Sequence, residues 1–376
     1  MVKNTAPLQP AWTWTEDDFS SIYPAAFDQQ VVFSRILNDN ESELLGFDGA
    51  SGQLLWQSTV PTYLYDRHYR QVGSKLYFAN KPRTALLCFD LVTKQLETVW
   101  TIPIDGRLSF QFFVQNGFAV CPVGTYIPDI DSTDISVHLI NLQNSYSRPV
   151  MSLRTTSSSL LYNAILDPQV VLSPSGDTIF CFATQEYDST FSLSSRFISL
   201  NISTGVRVES SALRGYYISG LGNLVVEGRY AWFLAGRKLQ SLEVQTGSVI
   251  WQSPSTYSDD ARLLVRQGKA FVLENYAATE AFNANTGTPL WSEYMVGDIG
   301  DLSGSFVQEG HLFLNQNGHL ISINVETDCI IGDHTLPVDI GEGIYQPTVA
   351  PDGQRVYSRS YGSATGTKFL AAPLPR

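Results

Sequence analysis

The chain has 376 residues, too many for one small domain, and with 43% hydrophobic against 16% charged residues it can bury a large core. Its 24 basic and 36 acidic residues leave a net charge of −12, which repels phosphate backbones and anionic lipid, so nucleic acid and membrane surfaces are excluded as natural partners. No apolar run approaches the roughly 18 residues of a membrane-crossing helix.

The first 30 residues hold one Lys, several acids and no apolar stretch of the kind a secretory signal needs. A cytoplasmic location is therefore expected, with a periplasmic or secreted one as the alternative if a leader was removed. Cys88, Cys121, Cys181 and Cys329 stand singly inside apolar runs such as ALLCFD and TIFCFA, without CxxC or vicinal spacing. They read as buried thiols in a reducing compartment.

A repeat organises the chain. A turn ending in Gly and followed by an apolar strand recurs as GSKLYFAN at Gly73, NGFAVCP at Gly117, SGDTIFCFA at Gly176, EGRYAWFLAG at Gly228, QGKAFVLEN at Gly268, EGHLFLNQN at Gly310 and DGQRVYSRS at Gly353. The first copy, DQQVVFSR, lacks the Gly. After each comes an alternating strand, a short polar anchor, a turn and another strand. The anchors are Asp48, Asp90, Asn141, Asn201, Glu243, Asn283 and Asn324, spaced by 42, 51, 60, 42, 40 and 41 residues. Four copies place Gly in the turn (Gly52, Gly205, Gly247, Gly287), where a tight hairpin needs φ > 0. Three of these follow it with Trp four residues on: Trp56, Trp251 and Trp291.

Two hairpins per repeat make a four-stranded antiparallel unit, which buries both its faces only by stacking on its neighbours. The prediction is an all-β fold, a single β-propeller domain over residues 1–376. The C-terminal stretch from Ile344 supplies three strands, and PAWTWTE near the start supplies the fourth, with Trp14 in the place that Trp56 takes in its own blade. Ring closure by this N-terminal strand predicts eight blades, with seven as the alternative count.

The strand, Asp/Asn-x-x-Thr-Gly-x-x-x-Trp pattern resembles the pyrroloquinoline-quinone-like propeller repeat, the family of quinoprotein dehydrogenases and of a cofactor-free outer-membrane assembly propeller. The resemblance implies that Trp56, Trp251 and Trp291 pack between blades. Lys94 and Asp328 depart from it by replacing the turn Gly, and the third blade reads LQNSYSRPV instead. Quinone binding in that family uses a vicinal Cys-Cys pair and a calcium site that this sequence does not match, so the resemblance points to the branch without a cofactor, and no metal is expected.

In a propeller, the blade-to-blade connections lie on the same face as the hairpin between each blade's second and third strands. Two of those hairpins are read as long loops, Val123 to Ser136 in blade three and Thr184 to Arg196 in blade four, and long ordered loops on a rigid scaffold commonly carry function. The connections sort by charge. Arg67, His68, Arg70, Arg107, Arg154 and Arg214 lead into blades two to five; Asp259, Asp260, Asp298, Asp301, Asp339, Glu342, Asp17 and Asp18 lead into blades six, seven, eight and one. Tyr63, Tyr65, Tyr69, Tyr216, Tyr217, Tyr257 and Tyr345 lie in or beside them. This predicts a dipolar, Tyr- and Arg-rich face on a monomeric non-catalytic scaffold, suited to holding a protein partner, basic proteins included.

The alternative is an acidic-polysaccharide lyase or lectin, in which His68, Tyr69 or Tyr217 is the base and Arg67, Arg70, Arg107 and Arg154 neutralise a uronate carboxylate. His138, His311, His319 and His334 read as structural. Asp129, Asp131 and Asp134 resemble half of a calcium loop, without its central Gly and terminal Glu. No GxSxG, HExxH or P-loop motif occurs.

Overall fold

The computed structural model describes residues 9–16, 24–62, 64, 69–102, 105–109, 112–127, 132–155, 166–187, 193–202, 204–211, 213–214, 223–235, 237–258, 261–274, 278–294, 306–316, 319–327, 330–335, 343–349, 354–362 and 366–374. Every regular element among them is a β-strand, and the strands form eight antiparallel sheets.

Blade one is β2 (Ala25–Phe27), β3 (Gln30–Asn38), β4 (Glu41–Asp48) and β5 (Leu54–Val60), running outward in that order. Blade two is β6 (Tyr69–Val72), β7 (Lys75–Ala79), β8 (Ala85–Asp90) and β9 (Gln95–Thr101). In blade three the inner strand is broken into β10 (Arg107–Leu108) and β11 (Phe113–Gln115), both paired with β12 (Phe118–Ile127), and β13 (Ser132–Asn141) and β14 (Ser147–Thr155) follow. Blade four is β15 (Leu166–Leu172), β16 (Thr178–Tyr187) and β17 (Leu193–Asn201), with its outer strand broken into β18 (Arg207–Glu209) and β19 (Leu213–Arg214).

Blades five, six and seven are regular. They comprise β20 (Leu224–Glu227) to β23 (Val249–Gln252), β24 (Arg262–Arg266) to β27 (Pro289–Tyr294), and β28 (Phe306–Gln308) to β31 (Ile330–Thr335). Blade eight takes β32 (Gly343–Val349), β33 (Arg355–Gly362) and β34 (Gly366–Pro373) from one end of the chain and β1 (Trp12–Glu16) from the other. Strand β1 lies antiparallel on β34 from Trp12↔Ala371 to Glu16↔Thr367, so the ring closes by the predicted N-terminal strand and has eight blades.

The polar anchors explain themselves. Asp48 Oδ1 accepts the amides of Ala50 and Ser51 and the Ser51 hydroxyl, and these bonds, the Ser51 amide foremost, hold its carboxyl below the usual range. Asp90, Asn283 and Asn324 cap their turns through the same atom. In each case a short side chain replaces the backbone bonds that the turn forgoes. The residue four positions on then donates its amide to the anchor carbonyl: Gly52 to Asp48 at 2.9 Å, Gly287 to Asn283 at 2.9 Å, and Lys94 to Asp90 at 2.8 Å. Lys94 makes this turn at φ +59, the left-handed region that Gly occupies elsewhere.

The core is divided into eight clusters, one for each junction between neighbouring blades. The tryptophans lie at these junctions. Trp251 stacks on Phe282 of the next blade and donates its indole N–H to Ala284 O at 3.0 Å; Trp291 donates to Val325 O at 3.4 Å. At the ring closure the residue in this position is Trp12, whose indole donates to Gly49 O at 3.0 Å and whose ring covers Gly52. Trp14, the residue that the sequence pattern puts there, instead packs edge-on against Phe47 at 4.3 Å, because the register on β34 sets Trp12 opposite Ala371. Trp56 stacks on Phe89, but its indole donates to Gln30, and the Lys94 ammonium lies 4.2 Å over its ring and bonds Leu91 O, the carbonyl equivalent to those the other indoles use. Cys88, Cys121 and Cys181 are fully buried in blades two, three and four.

Candidate functional site

The face that carries the second-to-third-strand hairpins is uneven. The described parts of the two insertions read as loops are strand: β12 pairs with β13 from Phe118↔Asn141 out to Ile127↔Ser132, and β16 pairs with β17 out to Tyr187↔Leu193, with residues 128–131 and 188–192 outside the described residues. Each is a two-stranded ribbon that continues its blade upward, because the added residues keep forming ladder bonds instead of looping out. The ribbons are braced from the side. Strand β10 pairs at Arg107↔Gly124, β14 follows β13 up to Thr133↔Thr155, and β19 pairs at Arg214↔Ser194.

Three predicted arginines lie on these bracing strands. Arg107, Arg154 and Arg214 all stand on strands that flank the raised ribbons, with Arg154 directly opposite Asp134. Arg107 is exposed. Nearby on β17, Arg196 reaches Glu209 at 3.3 Å, and Arg207 pairs with the same carboxylate at 2.6 Å.

Tyr69 and Arg70 are not loop residues but open strand β6. The Tyr69 hydroxyl donates to Pro24 O at 3.4 Å, and the Arg70 guanidinium lies 5.9 Å from the Phe112 ring centroid, which ties blade two to blades one and three. Tyr257 is 3% exposed. Its hydroxyl donates to Glu280 Oε2 at 2.8 Å, and burial, the largest cause, raises its pKa well above the ordinary phenol value, so it packs the junction of blades five and six and presents no contact surface.

Arg67, His68, Tyr216, Tyr217, Asp259, Asp260, Asp298, Asp301 and Glu342 lie outside the described residues, as do Tyr63, Tyr65, Asp17, Asp18, Asp129, Asp131 and Asp339. Of the three candidate bases, Tyr69 alone is described, and its hydroxyl is bound to Pro24 O at the junction with blade one.

Some features of the face carry no signal in sequence. His319 Nδ1 lies 2.7 Å from Asp333 Oδ1 across β30 (His319–Asn324) and β31, and Glu274 accepts the amide of Ser258 at 2.5 Å. Both depend on register between strands. His138 is 4% exposed, 3.0 Å from Ser136 Oγ and tilted against Trp100 with ring centroids 5.2 Å apart; burial lowers its pKa.

Among the described residues no three His, Cys, Asp or Glu side chains converge as a metal site, and the three described cysteines sit in three different blades. A cavity of about 400 Å³ opens on the opposite face between blades six and seven, beside Trp291, Lys269 and Glu326.

Residues 235–329 match the family model described as outer membrane protein assembly factor BamB. No curated protein matches the chain in sequence. Among solved structures, BamB from Moraxella catarrhalis aligns with a TM-score of 0.58 at 13% identity, over 97% of this chain and 99% of that one. A europium-containing methanol dehydrogenase aligns at 0.60 and 11%, over 98% of this chain and 93% of its own. Sqt1 from Saccharomyces cerevisiae aligns at 0.55 and 12%, over the whole of both chains. At such identities the likeness is one of fold, and folds of this kind host unrelated activities. By family model over residues 235–329 and by fold over nearly its whole length, the chain resembles the pyrroloquinoline-quinone-like β-propellers.

Proposed function

We propose that this protein is a non-catalytic propeller scaffold that holds a protein partner on the face bearing the raised ribbons of blades three and four. One observation carries the reading: Arg107, Arg154 and Arg214 all stand on strands that brace those two ribbons. Ribbons held by ladder bonds present side chains at low entropic cost, and Arg is favoured at the centres of protein interfaces. The match to a model named for an assembly factor supports it, as does likeness in fold to that factor.

The test replaces Arg107, Arg154 and Arg214 together with Glu. Wild-type protein immobilised in lysate of the native host is expected to retain a stoichiometric partner, and the triple variant, with its melting curve retained, is expected to lose it. Absence of any stoichiometric partner, or capture unchanged in the variant, refutes the scaffold. Ultraviolet-absorbing unsaturated product from a uronate polymer would replace it with the lyase reading.

A further inference from the structure

Outer strands of propeller blades are sheet edges, and an edge left open pairs with other chains unless it is short, bulged, charged or broken by Pro. Seven of the eight outer strands here are charged, broken by Pro or only four residues long. Glu97 lies in β9; Arg148 and Pro149 lie in β14; β18 begins with Arg207 and ends with Glu209. Strand β23 has only four residues, β27 opens with Pro289, β31 contains Asp333, and β1 ends in Glu16.

Strand β5 is the exception. Its seven residues, LLWQSTV, include neither charge nor Pro. A bulge sets Leu55 aside, since Gly46 faces Trp56 while Phe47 faces Leu54, but Trp56 to Val60 then runs in unbroken register on β4. The strand pairs only with β4 among the described residues. Gln57 and Thr59 are exposed, and Leu54 and Leu55 at one end are 40% and 48% exposed.

We infer that β5 is a docking edge on the rim of the ring, where an extended segment of a protein partner adds as a fifth strand of blade one. The occupant is identified by charge. Residues 24–62 contain Asp28, Asp39, Glu41, Glu43 and Asp48 against a single cation, Arg35, which is bound to Glu43 at 2.7 Å. Asp39 and Glu41 lie beside the Val60 end of the strand, because Ser42 is the partner of Val60, and the Lys81 ammonium, 2.6 Å from Asn40 Oδ1, offsets one of these two charges and leaves the end acidic. Lys94, the cation nearest Trp56, is engaged with Leu91 O and the indole ring. A segment that is apolar where it meets Leu54 and Leu55 and basic where it meets Asp39 and Glu41 fits this edge. A second copy of the chain does not, because two blades of the same negative charge would meet along one short strand. This edge lies on the rim and is independent of the ribbon face.

The test is hydrogen–deuterium exchange on the full chain with a probe peptide of alternating Thr and Val, ending in leucines on one side and lysines on the other. Slowed exchange confined to the amides of residues 54–60 is expected, weakening with salt. Replacing both exposed positions, Gln57→Lys and Thr59→Lys, is expected to weaken peptide binding by about tenfold or more while the melting curve is unchanged. Leu290→Lys on β27, and the triple arginine variant of the ribbon face, are expected to leave it intact. Three results would overturn the inference: no protection of 54–60 with saturating peptide, equal binding when the lysines are replaced by glutamates, or protection that rises with protein concentration without peptide, which would make a second copy the occupant.

Discussion

Gly287 offers a quantitative check on how the blades lock together. It sits at φ +71, and a Cβ built on it would lie 2.5 Å from Cδ2 and 2.7 Å from Cγ and Cε3 of the Trp251 ring, which reaches over from the preceding blade. Gly268 has the same φ of +71 but nothing within 4 Å of its Cβ position. Gly268→Ala therefore reports the backbone cost alone, about 1 kcal/mol. Gly287→Ala adds the displacement of a ring held by its stack on Phe282 and its bond to Ala284, an overpacking cost of about 1–3 kcal/mol, for a total of about 2–4. With an unfolding entropy near 2.1 cal/mol/K per residue, these convert to a lowering of Tm by about 1 °C and about 3–5 °C. Thermal and urea unfolding followed by tryptophan fluorescence resolve the difference. Repeating Gly287→Ala in a Trp251→Ala background is expected to reduce its cost to that of Gly268→Ala. If the two glycine variants cost the same in the wild-type background, the ring does not press on the turn and the account of blade locking is wrong.

Other outcomes are equally specific. Lys94→Ala keeps the strained φ +59 and loses the contact with Trp56, costing about 1 kcal/mol, while Lys94→Gly relieves the strain and is nearly neutral in the same melts. His138 titrates below its ordinary 6.5 in the folded chain because burial disfavours the charged ring. The unfolded chain thus binds the extra proton first, so stability is complete above about pH 6.5 and falls as the pH drops through the folded value; His138→Phe is expected to flatten that part of the stability–pH curve. Burial pushes the Cys88 thiol up to about 11 and raises Cys121 and Cys181 as well, so iodoacetamide is expected to leave all three unmodified in native protein and to alkylate them in denaturant, as read by peptide mass.

The blade count and the closing strand were legible because the anchor and turn residues obey local backbone rules that repeat wherever the turn repeats. Three particulars were not legible, and each turns on register. Trp12 and Trp14 are two residues apart and so share one face of β1; only the alignment on β34 decides which indole reaches Gly49. The stretches around PDIDSTD and DSTFSLS look like loops by composition, yet the alternation on either side, VGTYI against TDISV, extends the ladders of β12 and β13. Tyr257 has the sequence context of a connection and the surroundings of a core residue, because Glu280 of the neighbouring blade gives its hydroxyl a buried acceptor. The arginine set was half visible: the residue types were evident, but that Arg107, Arg154 and Arg214 stand beside two ribbons follows from pairings with Gly124, Asp134 and Ser194.

The pairing of β1 with β34 sets an order of events on the ribosome. Strand β1 emerges ahead of every other described strand, yet β34, its one partner among the described residues, is made after all of them, so Trp12 and Trp14 must wait while seven blades are assembled. Adjacent blades can dock as they appear, but the junction holding Phe47, Tyr357 and Phe369 closes last and only by a contact spanning nearly the whole chain. Any nascent or truncated product lacking residues 366–373 would therefore leave a tryptophan-bearing strand and an unpaired edge exposed together, the combination that quality-control proteases and chaperones bind.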